Sequence, residues 1–189
     1  AFKHNEFWQC MDNIRERDYL NKLVDNGEAP WVKWQKMFEN TFKNKKILIT
    51  GNTGFKGSWL TAWLLGLKAE VYGISIDIPT EPAMFKVLGL KDKITHYSRD
   101  IRDYASLKEI ISKIKPNLIV SDISAMPFFA AHKSQINSVA ISNFSWTDVL
   151  TGFPNSQMKL LEEAYELSDL AIQLPLGTTM KSFKNKKQV

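Results

Sequence analysis

Residues Lys45 to Leu65 read KKILITGNTGFKGSWLTAWLL, and the order of residue types in this stretch sets the expectation for the fold. Ile47, Leu48 and Ile49 make a short apolar run of the kind buried on both faces of a parallel sheet. Gly51, Gly54 and Gly57 follow at intervals of three, and the apolar residues beyond them predict a helix. Glycine lets the backbone turn tightly and approach a ligand closely, while a new helix presents unpaired N–H groups to an anion. A strand, a glycine turn and a helix in that order therefore predict a pyrophosphate cradle.

Context supports the glycine pattern. Glu70 to Ile76, EVYGISI, reads as a second strand, and Asp77 closes it 20 residues after Gly57. An acid at that spacing is placed to accept hydrogen bonds from the adenosine ribose hydroxyls, favouring NAD over NADP because it would repel a 2′-phosphate. The competing reading is an ordinary strand-to-helix turn with a surface Asp, and it must treat five agreeing features as coincidence.

At 189 residues, 44% of them hydrophobic and 24% charged, the chain fits one soluble globular domain or slightly more. Its apolar runs fall well short of the ~20 residues that span a bilayer, and no signal sequence opens it, so no membrane span and a cytoplasmic location are expected. Cys10 is the sole cysteine, which excludes an intrachain disulfide. His4, His96 and His132 are scattered without metal-ligand spacing, so no metal site is expected. The net charge of +5 arises entirely between residues 37 and 120, where thirteen basic side chains face eight acidic ones. These lysines lack aromatic interleaving, which favours a solvated face over a nucleic-acid site.

Ahead of the glycine stretch lies a different kind of segment. The first residue is Ala1 rather than Met, which suggests that the chain starts inside something longer. Asn13 and Glu16 fit a capping box, Ile14, Tyr19, Leu20, Leu23 and Val24 give a helical stripe, and Gly27 and Pro30 end it. Trp8, Trp31 and Trp34 have little else apolar to cover. The wording FWQCMDNIRERDYLNKLVDNGEAPWVKW resembles the carboxyl-terminal end of glucose-1-phosphate cytidylyltransferases. That resemblance implies a magnesium role for Asp12, but one carboxylate is too few ligands, and Asp12 reads instead as a helix-start residue.

Met37 looks like a second beginning. From there to about Val120 the sequence, with GNTGFKGSWL, IDIPTEPAMF and RDIRD, resembles the amino-terminal quarter of CDP-glucose 4,6-dehydratases, extended short-chain dehydrogenase/reductase enzymes that hold NAD. The resemblance implies that Gly51, Thr53, Gly54, Phe55, Lys56 and Gly57 contact the NAD pyrophosphate, that Asp77 takes the ribose, and that Asp100 with Ile101 takes the adenine edge. Asp100 also has a reading as a helix cap before Tyr104 to Ile114, although Asp103 is better placed for that. Cytidylyltransferases make CDP-glucose and the dehydratases consume it, so the two matched pieces belong to successive steps.

In that family NAD takes hydride from the sugar's C4, water leaves from C6, and the hydride returns to C6. This depends on a Tyr beside a Lys four residues on, and on an acid and a base for the elimination. Tyr104 with Lys108 is the only such spacing here, and it falls on the helix before the fourth strand, where it reads as helix surface. No catalytic residue is assigned. The implied enzyme is an NAD-dependent sugar-nucleotide lyase whose catalytic groups are missing, with CDP-glucose as the implied partner and a homodimer or a separate catalytic half as the implied assembly.

After Val120 the wording changes, with Ser124, Ala125 and Pro127 still able to line up, and beyond Pro127 the match to the dehydratases stops. VSDISAMPFFAAHKSQINSVAISNFSW and KLLEEAYELSDLAIQLPLGTTM resemble the amino-terminal half of two-domain nucleotide-sugar glycosyltransferases over about residues 117–180. Physically, Met126 to Ser134 and Ser156 to Ser168 read as helices, and Ser138 to Ser142 and Leu170 to Leu174 as strands. The pentapeptide Phe-Lys-Asn-Lys-Lys occurs at 42–46 and 183–187, too short for a structural repeat, and the second copy reads as a frayed basic tail.

The sequence thus predicts a Rossmann-like three-layer α/β fold with a parallel sheet, preceded by a separate helical segment. The segments are 1–36, helical tail; 37–125, NAD-binding half; 126–180, further α/β segment; and 181–189, basic tail. The alternatives are a glycosyltransferase-like piece, or a composite of three gene ends without activity of its own.

Overall fold

The structure is a computed structural model that describes residues 7–32, 38 and 40–189. His4, Trp34, Met37 and the expected boundary at 36/37 lie outside the described residues. The chain divides into two compact units, Ala1–Thr41 and Phe42–Val189.

In the first unit α1 runs Ile14–Asp25, and Asn13 caps it by accepting from the Glu16 N–H at 3.0 Å. The return bond of a capping box shifts by one residue, since Glu16 Oε2 accepts from the Asp12 N–H at 2.9 Å. Asp12 therefore stands at the helix start, as its position predicts. Gly27, with φ of 71°, and the bond from Glu28 N–H to Leu23 O at 2.8 Å close the other end. The Phe7 and Trp31 rings lie 5.3 Å apart.

The second unit is a seven-stranded, wholly parallel sheet in the order β3-β2-β1-β4-β5-β6-β7. Its strands are β1 (Lys46–Thr50), β2 (Glu70–Ser75), β3 (Thr95–Ser98), β4 (Leu118–Ser121), β5 (Asn137–Ser142), β6 (Leu170–Gln173) and β7 (Lys186–Gln188). The connecting helices are α2 (Phe55–Gly66), α3 (Met84–Val87), α4 (Tyr104–Ile114), α5 (Met126–Lys133), α6 (Trp146–Val149) and α7 (Asn155–Glu166).

Strand periodicity explains the three layers. Leu48, Ile74 and Ile119 point to one side of the sheet and are buried under α4 and α5 by Leu107, Ile110, Ile111, Ile114, Ala130 and Ala131. Ile47, Ile49, Val71 and Val120 point to the other side and pack with Leu64 of α2. Asp103 caps α4, accepting from the N–H groups of Ala105 and Ser106 at 3.1 and 3.2 Å. This Rossmann-like architecture is the one the glycine stretch predicts.

The carboxyl end corrects an expectation. Residues 181–189 are not a frayed tail, because Lys186–Gln188 pairs in parallel with β6 and Phe183 is buried. The Phe183 ring stacks on Tyr165 at 4.6 Å and meets Phe128 edge-on at 6.1 Å. The lysines dominate the composition of the segment, but one aromatic ring decides where it goes. Among the described residues, no helix is long and apolar enough to cross a membrane.

Candidate functional site

The turn between β1 and α2 sits beside the crevice at which the strand order reverses, with β2 on one side of β1 and β4 on the other. Gly51 takes a φ of 66°, a conformation that side chains disfavour, and its N–H donates to Ile74 O of β2 at 2.9 Å. Its carbonyl accepts from the Gly54 N–H at 3.1 Å, closing a four-residue turn. A Cβ on Gly57 would lie 2.2 Å from Gly51 O, so the helix can start this close to the turn only with hydrogen at that position.

Gly54 occupies the N-cap position of α2 and supplies no side-chain acceptor. The first bond of the helix runs from Ser58 N–H to Gly54 O at 2.8 Å. The amides of Phe55, Lys56 and Gly57 precede it and have no acceptor among the described residues, as expected of a first helical turn. They open into a cleft of about 540 Å³ lined by Gly51, Gly54, Phe55, Lys56, Gly57 and Ile101, and by Thr50, Leu60, Val120, Asp122 and Ile141. This volume lies within the roughly 300–1,000 Å³ usual for small-molecule sites, and its walls are mainly apolar.

Six of the nine residues expected at the site therefore share one cleft, and three do not line it. Thr53 is buried beneath the turn, where its hydroxyl donates to Asp77 O at 2.5 Å and lies 3.0 Å from Ser75 Oγ. Asp77 is exposed just past the end of β2, and its carboxylate has no partner among the described residues. Asp100 is gripped by Arg102, whose Nε lies 2.9 Å and Nη2 2.6 Å from Oδ2. The guanidinium holds the Asp100 carboxyl below the usual carboxylate range. Ile101 faces the cleft while the neighbouring acid is held by its own arginine.

Sequence reasoning missed the pedestal under the turn. Asn52 is wholly buried; its Oδ1 accepts from Ser75 Oγ at 3.2 Å, and its main-chain carbonyl accepts from Ser58 Oγ at 3.1 Å. Its Nδ2 meets His96 Nδ1 at 3.3 Å, and since an amide nitrogen only donates, Nδ1 is the unprotonated ring nitrogen. A Cβ on Gly73 of β2 would fall 2.3 Å from Asn52 Cγ, so this amide occupies the place of a side chain on β2. The lone glycine inside EVYGISI was the available signal, because glycine within a strand marks close approach. Asp122, which follows β4, was missed as well, and its Oδ2 lies 2.8 Å from Lys56 Nζ.

Among the described residues, no tyrosine lines the cleft. Tyr104, the first residue of α4, packs partly buried against the core, and Lys108 of the same helix is exposed. Tyr165 is buried with its hydroxyl donating to Ile123 O at 2.8 Å, and burial pushes its pKa up.

Residues 48–128 match a family model described as GDP-mannose 4,6 dehydratase. The chain is 40% identical over 89 residues to a CDP-glucose 4,6-dehydratase of Salmonella typhimurium, covering 47% of this chain and 24% of that protein. It is 49% identical over 35 residues to a glucose-1-phosphate cytidylyltransferase of the same organism, covering 18% of this chain and 14% of that protein. The chain thus spans about a quarter or less of the length of these curated relatives. Among solved structures, the Bordetella bronchiseptica enzyme WbmG in complex with NAD superposes with a TM-score of 0.54 at 16% identity, over 72% of this chain and 55% of that one. At that identity the likeness concerns the fold.

Proposed function

We propose that residues 42–189 bind NAD at the turn between β1 and α2, as the dinucleotide-binding part of a nucleotide-sugar dehydratase acting on CDP-glucose. The observation that carries this reading is the uncapped start of α2, whose three free amides face a cleft at the reversal of strand order. The sequence similarity to a CDP-glucose 4,6-dehydratase supports the sugar nucleotide.

The residues present fit the cofactor. The amides of Phe55, Lys56 and Gly57 offer donors to a diphosphate, with the helix dipole adding to the attraction. Asp77 offers its unpartnered carboxylate to ribose hydroxyls, and its charge disfavours a 2′-phosphate. Ile101, Val120 and Ile141 give the crevice apolar lining. NAD, when bound, supplies a hydride acceptor and donor. The proposal assigns cofactor binding to the described residues and leaves the acid–base chemistry of dehydration outside them.

Calorimetric titration of the whole chain tests it. NAD should bind, Gly54→Val should abolish binding, and Asp77→Ala should weaken it roughly tenfold while narrowing the preference over NADP. Unchanged affinity in both variants would end the assignment. Binding of a sugar or lipid acceptor without NAD would instead support a glycosyltransferase-like role for residues 117–180.

A further inference from the structure

Lys56, in the first turn of α2, and Asp122, directly after β4, stand on opposite walls of the cleft. Lys56 Nζ reaches Asp122 Oδ2 at 2.8 Å, so the pair bridges the crevice between β1 and β4. The arrangement serves the carboxylate badly. Asp122 Oδ1 is shut off from solvent and meets no hydrogen-bond donor. An ionised oxygen buried without a donor is costly, which offsets what the ion pair contributes. The two side chains are also 51% and 40% exposed, so their attraction is screened and readily exchanged.

A diphosphate at the start of α2 would therefore meet two unlike neighbours, an ammonium that it attracts and a carboxylate that already holds that ammonium. From this geometry we infer that Asp122 is an electrostatic latch on Lys56, keeping the ammonium across the crevice in the free protein and yielding it to the diphosphate of the incoming ligand. The inference rests on the NAD reading for its ligand. Asp122 acts through Lys56 as a positioning residue and touches no reacting atom. Once Lys56 leaves, the carboxylate can turn towards water and its orphaned oxygen gains donors, so the exchange relieves a defect of the free protein.

The test is titration of the whole chain with NAD and, separately, with inorganic pyrophosphate, at low salt, for the wild type, Asp122→Asn, Lys56→Met and the double variant. Asp122→Asn should tighten both ligands by roughly two- to fivefold, the scale of a half-exposed ion pair, and Lys56→Met should weaken both. In the Lys56→Met background, Asp122→Asn should have little further effect. A merely structural role for Asp122 would predict weaker binding instead. No gain in Asp122→Asn overturns the latch, as does a gain that persists undiminished without Lys56, which would indicate simple repulsion. If pyrophosphate shows the expected pattern but NAD does not bind, the cofactor reading fails and the latch stands. Asp122→Ser, checked for an unchanged melting temperature, repeats the measurement should Asp122→Asn fold poorly.

Discussion

Thr53 Oγ1 donates to the main-chain carbonyl of Asp77 at 2.5 Å, fastening the glycine turn after β1 to the acid after β2. The resemblance implies a phosphate contact for Thr53, and in the structure its hydroxyl donates to the main chain of Asp77, another residue expected at the site. Thr53→Ala should lower unfolding free energy by about 1 kcal/mol, the usual loss for one buried hydrogen bond, and weaken NAD several-fold. Thr53→Ser should restore both. Urea melts and calorimetry check this, and an Ala variant with unchanged NAD affinity would separate the two elements.

Two glycines of the turn should fail in different ways. Gly54 has ordinary backbone angles, and an added Cβ would sit 3.4 Å from Gly51 O, in normal contact. Gly54→Ala should therefore melt within a few degrees of the wild type yet lose NAD binding, because Gly54 lines the cleft and an added methyl takes up room there. Gly57→Ala forces a Cβ to 2.2 Å from a main-chain oxygen and should destabilise the fold by about 2 kcal/mol or more. Circular dichroism melts beside NAD titrations distinguish the two.

His96 makes the turn sensitive to acid. Burial, and then the charge of Lys91, hold its pKa below the ordinary 6.5, and Asn52 Nδ2 faces its unprotonated nitrogen. At pH 7.5 the ring is neutral whether the chain is folded or not. As pH falls through 6.5, the unfolded chain takes up a proton that the folded chain resists, so the unfolded state binds more protons and stability declines. Urea midpoints should fall between pH 7.5 and 5.5, and the fall should shrink in His96→Asn, which keeps an acceptor for Asn52. An equal decline in both proteins would exonerate His96.

Phe183 measures whether the carboxyl end belongs to the core. Its ring is 2% exposed between Tyr165 and Phe128, so Phe183→Ala should cost about 3–5 kcal/mol, as for other buried aromatic residues. A frayed tail would predict almost no change. Denaturant unfolding followed by tryptophan fluorescence reads the difference.

The strand-turn-helix unit was legible because its signals are local. Three glycines, an apolar triplet and an acid at fixed spacing need no distant partner to be understood, and the same holds for the Asp103 cap and the helix of α4. What escaped depends on residues far apart in sequence. Asn52 becomes a pedestal only when Gly73 and His96 are brought beside it, and Lys56 finds Asp122 only because β4 lies next to β1. The Arg102 partner of Asp100 and the burial of Phe183 escaped for a related reason. A resemblance places a carboxylate but not the arginine two residues on, and a lysine-rich composition hides a single ring with a cavity waiting for it.

The hydrogen that stands in for a side chain at Gly73 has an evolutionary consequence. Positions 52 and 73 share one volume, so neither can drift alone: a methyl gained at 73 must be matched by atoms surrendered at 52. Among sequences carrying this turn, paired replacement at these two sites, 21 residues apart in the chain, would reveal the buried amide to a reader who had no coordinates at all.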